Sequence, residues 1–143
     1  MNSNKKYSSE AAMGDILKNA MESYEKGHLI EGVILITYLL EMDMGLIWYV
    51  YSRPKSEFIP YDEFEKLDFN NLTKVLFDIQ LISKETKSKL DGIRKTRNNI
   101  AHYLFSEQTW SQDKLDQNFN EGVIQHKKLF EFIGKRLDGQ VKV

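Results

Sequence analysis

An arginine and a histidine stand five positions apart at Arg97 and His102, with an Asn98-Asn99 pair between them, in a segment whose other residues have helical spacing. Asn is a poor helix-interior residue because its side chain competes for backbone hydrogen bonds. Two in succession, followed by His, point to selection for something other than helix stability. Arg carries a fixed charge on a fork that grips phosphate, and His titrates near neutral pH. Together these groups suit chemistry on a phosphodiester.

The helix that must carry them sets their geometry. At about 100° per residue, Leu90, Ile93, Arg97, Ile100 and Leu104 share one apolar stripe, with Arg94, Asn98 and His102 in a polar line beside it. Arg97 and His102 diverge by roughly 140° on the same arithmetic, so one helix does not aim both at one point. A guanidinium in an apolar seam needs a partner. Glu41, in a seam of the longest apolar segment, is one candidate. The other is a second subunit across a two-fold axis, which would bring two arginines and two histidines into one cleft. The plainer alternative is a solvated helix face from which Arg97 extends its head to water. The Asn pair, Arg97 within one seam and Glu41 within another weigh against it.

Helical periodicity dominates the rest of the chain, and no alternating strand pattern is evident. A first helix is expected from Ser9 to Lys26, with Met13, Ile16, Leu17, Ala20 and Tyr24 on one face and Gly27 as its stop. A second runs from Leu29 to Tyr51. One of its seams reads Ile30, Ile34, Thr37, Glu41, Met44, Trp48 and Tyr51, the other Val33, Ile36, Leu40, Ile47 and Val50. Its length would span a membrane, but Glu31, Glu41 and Asp43 interrupt it, which favours a buried bundle helix. Residues 52–67 hold both prolines, Pro54 and Pro60, and read as a long connector and the best place for a packed functional loop. A short third helix covers Asn70 to Leu81, carrying Leu72, Val75, Leu76 and Ile79, and a fourth covers Lys84 to Phe105. The fifth starts at Ser111, with Trp110 and Leu115 at hydrophobic-staple spacing. Its seam reads Leu115, Phe119, Val123, His126, Phe130, Ile133 and Leu137. The expected architecture is all-α: an up-and-down bundle of four to five helices forming one domain over 1–143, with 1–8 and 138–143 frayed.

Composition agrees with a single soluble domain: 143 residues, 41% hydrophobic and 29% charged. A net charge of −1 offers no global field for nucleic acid, so any RNA contact must be local or assembled at an interface. The zero cysteine count excludes disulfides and thiolate metal sites and fits a reducing cytoplasm. The polar start, Met1 to Ser9, lacks the apolar core of a secretory signal.

The segment Leu90-Asp91-Gly92-Ile93-Arg94-Lys95-Thr96-Arg97-Asn98-Asn99-Ile100-Ala101-His102, on the fourth of five helices, resembles the HEPN domains (higher eukaryotes and prokaryotes nucleotide-binding). The resemblance extends over the whole domain length and implies a helical bundle, dimeric, with Arg and His of both subunits lining one cleft. Many members are metal-independent endoribonucleases of toxin–antitoxin or phage-defence systems. Carried over, Arg97 binds phosphate, His102 is the catalytic histidine, and Asn98 matches the polar residue after the Arg. The implied reaction is attack of an RNA 2′-hydroxyl on the neighbouring phosphate, giving a 2′,3′-cyclic phosphate and a 5′-hydroxyl, with His102 as general base or acid. Arg97 would stabilise charge on the phosphorane oxygens, and Asn98 would orient a phosphate oxygen or the imidazole. Glu41 and Arg94 would support the site, no metal or other cofactor is called for, and an antitoxin or other partner protein is implied. One departure stands out. In toxins paired with a small nucleotidyltransferase, a modified Tyr lies two positions after the His; here Tyr103 follows immediately and Leu104 takes the second place, which counts against regulation of that kind. A non-catalytic HEPN-like dimerisation, adaptor or nucleotide-binding module is the competing expectation.

Other residues suggest quieter roles. His28 reads as a surface or capping residue, and His126 as a hydrogen-bonded core histidine. Trp48, Tyr49 and Tyr51 could stack on bases, but such spacing usually makes core or dimer contacts. Lys84, Lys87, Lys89, Arg94 and Lys95 could track an RNA backbone or form a solvated face. No Gly-rich phosphate loop or metal motif appears.

Overall fold

Helical periodicity is realised as five α-helices among the described residues of the computed structural model: α1 (Ser9–Glu25), α2 (Leu29–Ser52), α3 (Phe69–Asp78), α4 (Lys84–Tyr103) and α5 (Gln112–Val141). The structure describes residues 9–52, 67–103 and 110–141, with side chains over 13–52, 67–102 and 110–135; no strand occurs among them. The expected connector, apart from its end residues Ser52 and Leu67, lies outside this set, as do Leu104 and the side chains of Tyr103 and Leu137.

Local chemistry sets the helix ends. Gly27 takes φ +85°, and the amides of Gly27 and His28 donate to the carbonyls of Tyr24 and Ser23, closing α1 with a Schellman motif. The same pattern closes α3, where Gln80 and Leu81 donate to Phe77 and Leu76, but here the left-handed position (φ 63°) is held by Gln80. A side chain there is strained where glycine is not. Opposite outcomes are therefore expected: Gly27→Ala should cost about 1 kcal/mol, and Gln80→Gly should gain up to about 1 kcal/mol, in denaturant melts. Ser111 caps α5 as its sequence suggests, its Oγ accepting from the Lys114 amide at 3.2 Å, while Trp110 packs against the cluster that holds Leu115. The helical backbone of α5 then continues to Val141, past the residue where fraying was expected.

Helix α2 is the hub and packs on α1, α3, α4 and α5. It is long and apolar enough to cross a membrane, yet half of its most apolar stretch is buried inside the bundle. Of its two seams, Val33, Ile36, Leu40, Ile47 and Val50 are all buried, whereas Ile34 on the other is 38% exposed. Helices α2 and α5 touch closely at Gly122, where any Cβ would stand 3.0 Å from the Ile36 side chain.

The apolar interior forms two clusters. One joins Met13, Ala20, Val33, Ile36, Leu39, Ile100, Leu115 and Phe119, and includes the stacked rings of Tyr24 and Phe119. The other joins Leu40, Met44, Ile47, Phe69, Leu72, Leu76, Leu90, Ile93, Leu129 and Ile133. On α5 the expected seam fails at Phe130, which is 40% exposed, while Leu129 is buried in its place. The buried face of the long helix runs through Gly122, His126, Leu129 and Ile133, so the three-residue step falls directly after His126, where the expected seam takes four.

Candidate functional site

The projected stripe on α4 is buried as its spacing demands: Leu90, Ile93 and Ile100 are at most 1% exposed. Arg97 sits between them, and its head leaves the core at the edge of the helix, where its side chain is 29% exposed. Three elements hold it there. From α2, Glu41 Oε2 lies 3.7 Å from Arg97 Nη1. At the start of α3, the Phe69 ring lies under the guanidinium, its centroid 5.9 Å from Cζ. On α4 itself the long side chain curls back so that Nε and Nη2 donate to Asn98 Oδ1 at 3.3 and 3.2 Å. The Glu41–Arg97 pair anticipated from the two seams is therefore present.

Burial lifts the Glu41 carboxyl above its usual range, the Arg97 charge opposes this, and the Asp68 carboxylate adds to the lift. Asp68 is itself the N-cap of α3, accepting from the Asn71 amide at 2.8 Å. A fixed cation, an aromatic shelf, an amide and two carboxylates thus converge at the junction of α2, α3 and α4. Such a group can hold an oxyanion on the guanidinium, and the carboxylates set how strongly.

His102 is exposed in the last turn of α4, about 7.5 Å further along the axis than Arg97. Arg94, expected as a supporting residue, approaches Asp91 instead, with Nη2 3.9 Å from Oδ1 and Nε buried without a hydrogen-bond partner. The basic run on α4 is largely neutralised: Lys87 pairs with Asp91 at 2.8 Å, and Lys89 bridges Glu85 and Glu121. A solvated, ion-paired face describes it better than a phosphate track. Trp48 packs against the core cluster and lies 6.1 Å from the Tyr51 ring. His28 is exposed, 3.6 Å from Glu31.

A second ionisable pair was not anticipated. His126 Nδ1 lies 2.6 Å from Asp43 Oδ2, with Asp43 fully buried. His126 is a hydrogen-bonded core histidine, as its place in the α5 seam predicts, and its partner is one of the carboxylates that interrupt the apolar segment. Burial pushes Asp43 up to about 6, against the hydrogen bond and charge of His126. Its Oδ1 and the Oε1 of neighbouring Gln125 are both buried without partners. On α5, Gln125 and His126 fall between the residues of the two apolar clusters, as Thr96 and Arg97 do on α4, while Asp43 on α2 stands between Leu40 and Met44 of a single cluster. The Asp43–His126 pair is thus a polar inclusion in the apolar core. The signal was in the sequence: Asp43 lies seven residues after Ile36 and three after Leu40, on the buried seam itself.

An open depression of about 580 Å³ between α3 and α4, lined by Phe77, Gln80, Ile82 and Lys84 among others, lies apart from both pairs. Among the described residues, no three His, Cys, Asp or Glu side chains are grouped to hold a metal ion. No protein-family model, curated protein or solved structure matches this chain.

Proposed function

We propose that this protein is a HEPN-type endoribonuclease that cleaves RNA by 2′-hydroxyl attack at a composite site between two copies of the chain. The observation that carries the proposal is Arg97. A guanidinium is fixed at the rim of the core on an aromatic shelf, with Asn98 bonded to it and the exposed His102 on the same helix. Arg97 binds the scissile phosphate, His102 transfers the proton of the attacking or leaving oxygen, and Asn98 holds the guanidinium in its working orientation.

The divergence of Arg97 and His102 around α4 is the reason for invoking a second copy. Beside Glu41 on the same flank of α2, Ile34 and Tyr38 are 38% and 53% exposed, an apolar surface suited to pairing with itself. A dimer on this flank brings two Arg97–His102 sets close together. A toxin or defence role, with a partner protein that restrains it in the cytoplasm, follows from that activity.

The test is incubation of purified protein with RNA in EDTA, followed by end-group analysis. Products with 2′,3′-cyclic phosphate and 5′-hydroxyl ends are expected; intact RNA would overturn the proposal. The Glu41–Arg97 contact favours a second reading, a non-catalytic adaptor in which Arg97 only ties helices together. In that case Arg97→Ala would lower stability or dimerisation and no RNA would be cut.

A further inference from the structure

Arg97 already has an anion beside it. Glu41 Oε2 stands 3.7 Å from Nη1, too far for the 2.7–2.9 Å contact of a charge-assisted hydrogen bond, so the pair is held by charge alone. Asn98 engages Nε and Nη2, which leaves the Nη1 end, the one facing Glu41, as the edge open to an incoming oxyanion. Both side chains are about 30% exposed, so solvent reaches the gap between them. Asp68 contributes a second negative charge to Glu41's surroundings.

We infer that Glu41 is a built-in competitor: its carboxylate occupies the phosphate position of Arg97 and must be displaced when a nucleic-acid phosphate binds. This rests on the assignment of Arg97 as the phosphate-binding group and adds a restraint on that same site. A carboxylate that fully engaged the guanidinium would close the site. One held at 3.7 Å neutralises the cation, suppresses weak anion binding and yields to a well-placed phosphate. Asp68, fixed as the cap of α3, repels Glu41 from its own side and so directs it towards Arg97.

The experiment measures binding apart from cleavage. The probe is a short fluorescein-labelled oligoribonucleotide carrying 2′-O-methyl groups throughout, which cannot be cut by attack of its 2′-oxygens. Anisotropy titrations compare wild type, Glu41→Gln, Arg97→Ala and the double variant, with Glu131→Gln on α5 as a control for the loss of one negative charge. Glu41→Gln should bind about three- to tenfold more tightly, through loss of both the internal ion pair and the repulsion of phosphate. The gain should vanish in the Arg97→Ala background, and Glu131→Gln should change little. Unchanged or weaker binding by Glu41→Gln, a gain that survives Arg97→Ala, or no binding by any variant overturns the inference. Unmodified RNA judges the nuclease separately: a binding gain with uncut RNA keeps the competitor and removes the nuclease, while cut RNA without a binding gain does the reverse.

Discussion

Replacing His102 with alanine is expected to lower single-turnover RNA cleavage by about 100- to 10 000-fold while leaving the fold intact. Loss of a positioned proton-transfer group costs this much in rate. His102 is exposed on the last turn of α4, outside both apolar clusters, so the bundle should stay folded. Arg97→Ala should also abolish cleavage, but it additionally leaves Glu41 without its cation and so should show a small stability loss in parallel melts. Mixing the two inactive proteins adds a sharper test. If the site takes its arginine from one copy and its histidine from the other, a mixed dimer has one intact set, and a fraction of the activity returns. Cleavage unchanged in His102→Ala would assign the activity to a contaminant.

His126→Ala is expected to be the most damaging single substitution in the core, costing about 3–5 kcal/mol at pH 7 in urea melts. It leaves the fully buried Asp43 carboxylate with neither a hydrogen bond nor a counter-charge, the costliest way to break a buried pair. Adding Asp43→Asn to His126→Ala should recover part of the loss, because a neutral amide is cheaper to bury than a carboxylate. The pH dependence has a definite sign. Asp43 has a carboxyl raised to about 6 from 3.8, so the folded state takes up a proton that the unfolded state has released. Its contribution is therefore most favourable below about pH 4 and is lost as pH rises through 6. Asp43→Asn removes this dependence, so its stability relative to wild type should rise by about 2 kcal/mol between pH 4 and 7. A constant difference over that range would place Asp43 outside the titration.

Periodicity made the bundle legible because apolar residues recur at helical spacing, and Gly27 and Ser111 mark ends by chemistry that acts within one turn. Arg97 and Glu41 were legible as partners for the same reason: each interrupts an apolar seam, and a charge there must be answered. The Asp43–His126 pair was harder, since its members lie 83 residues apart and only packing of α2 on α5 shows that they meet. Phe69 is less legible, since the spacing starts the third helix at Asn70 while the helix begins one residue earlier and carries the ring to Arg97. That the basic run on α4 forms an ion-paired face depends in part on Glu121, on another helix, which the spacing along α4 does not show.

The two carboxylates of α2 have a consequence for how the bundle chooses one structure. A helix apolar around most of its circumference can turn about its axis among settings of similar packing energy, and hydrophobic contact alone discriminates weakly between them. Glu41 and Asp43 are two residues apart and therefore point about 200° away from each other. Each meets one basic side chain on a different helix, Arg97 at the rim and His126 inside. Only one rotational setting of α2 satisfies both, and a slip of a single residue position would strand both charges together. The pairs act as indexing pins that remove degeneracy from a greasy axle, so the setting that orders the core also sets the anion beside Arg97.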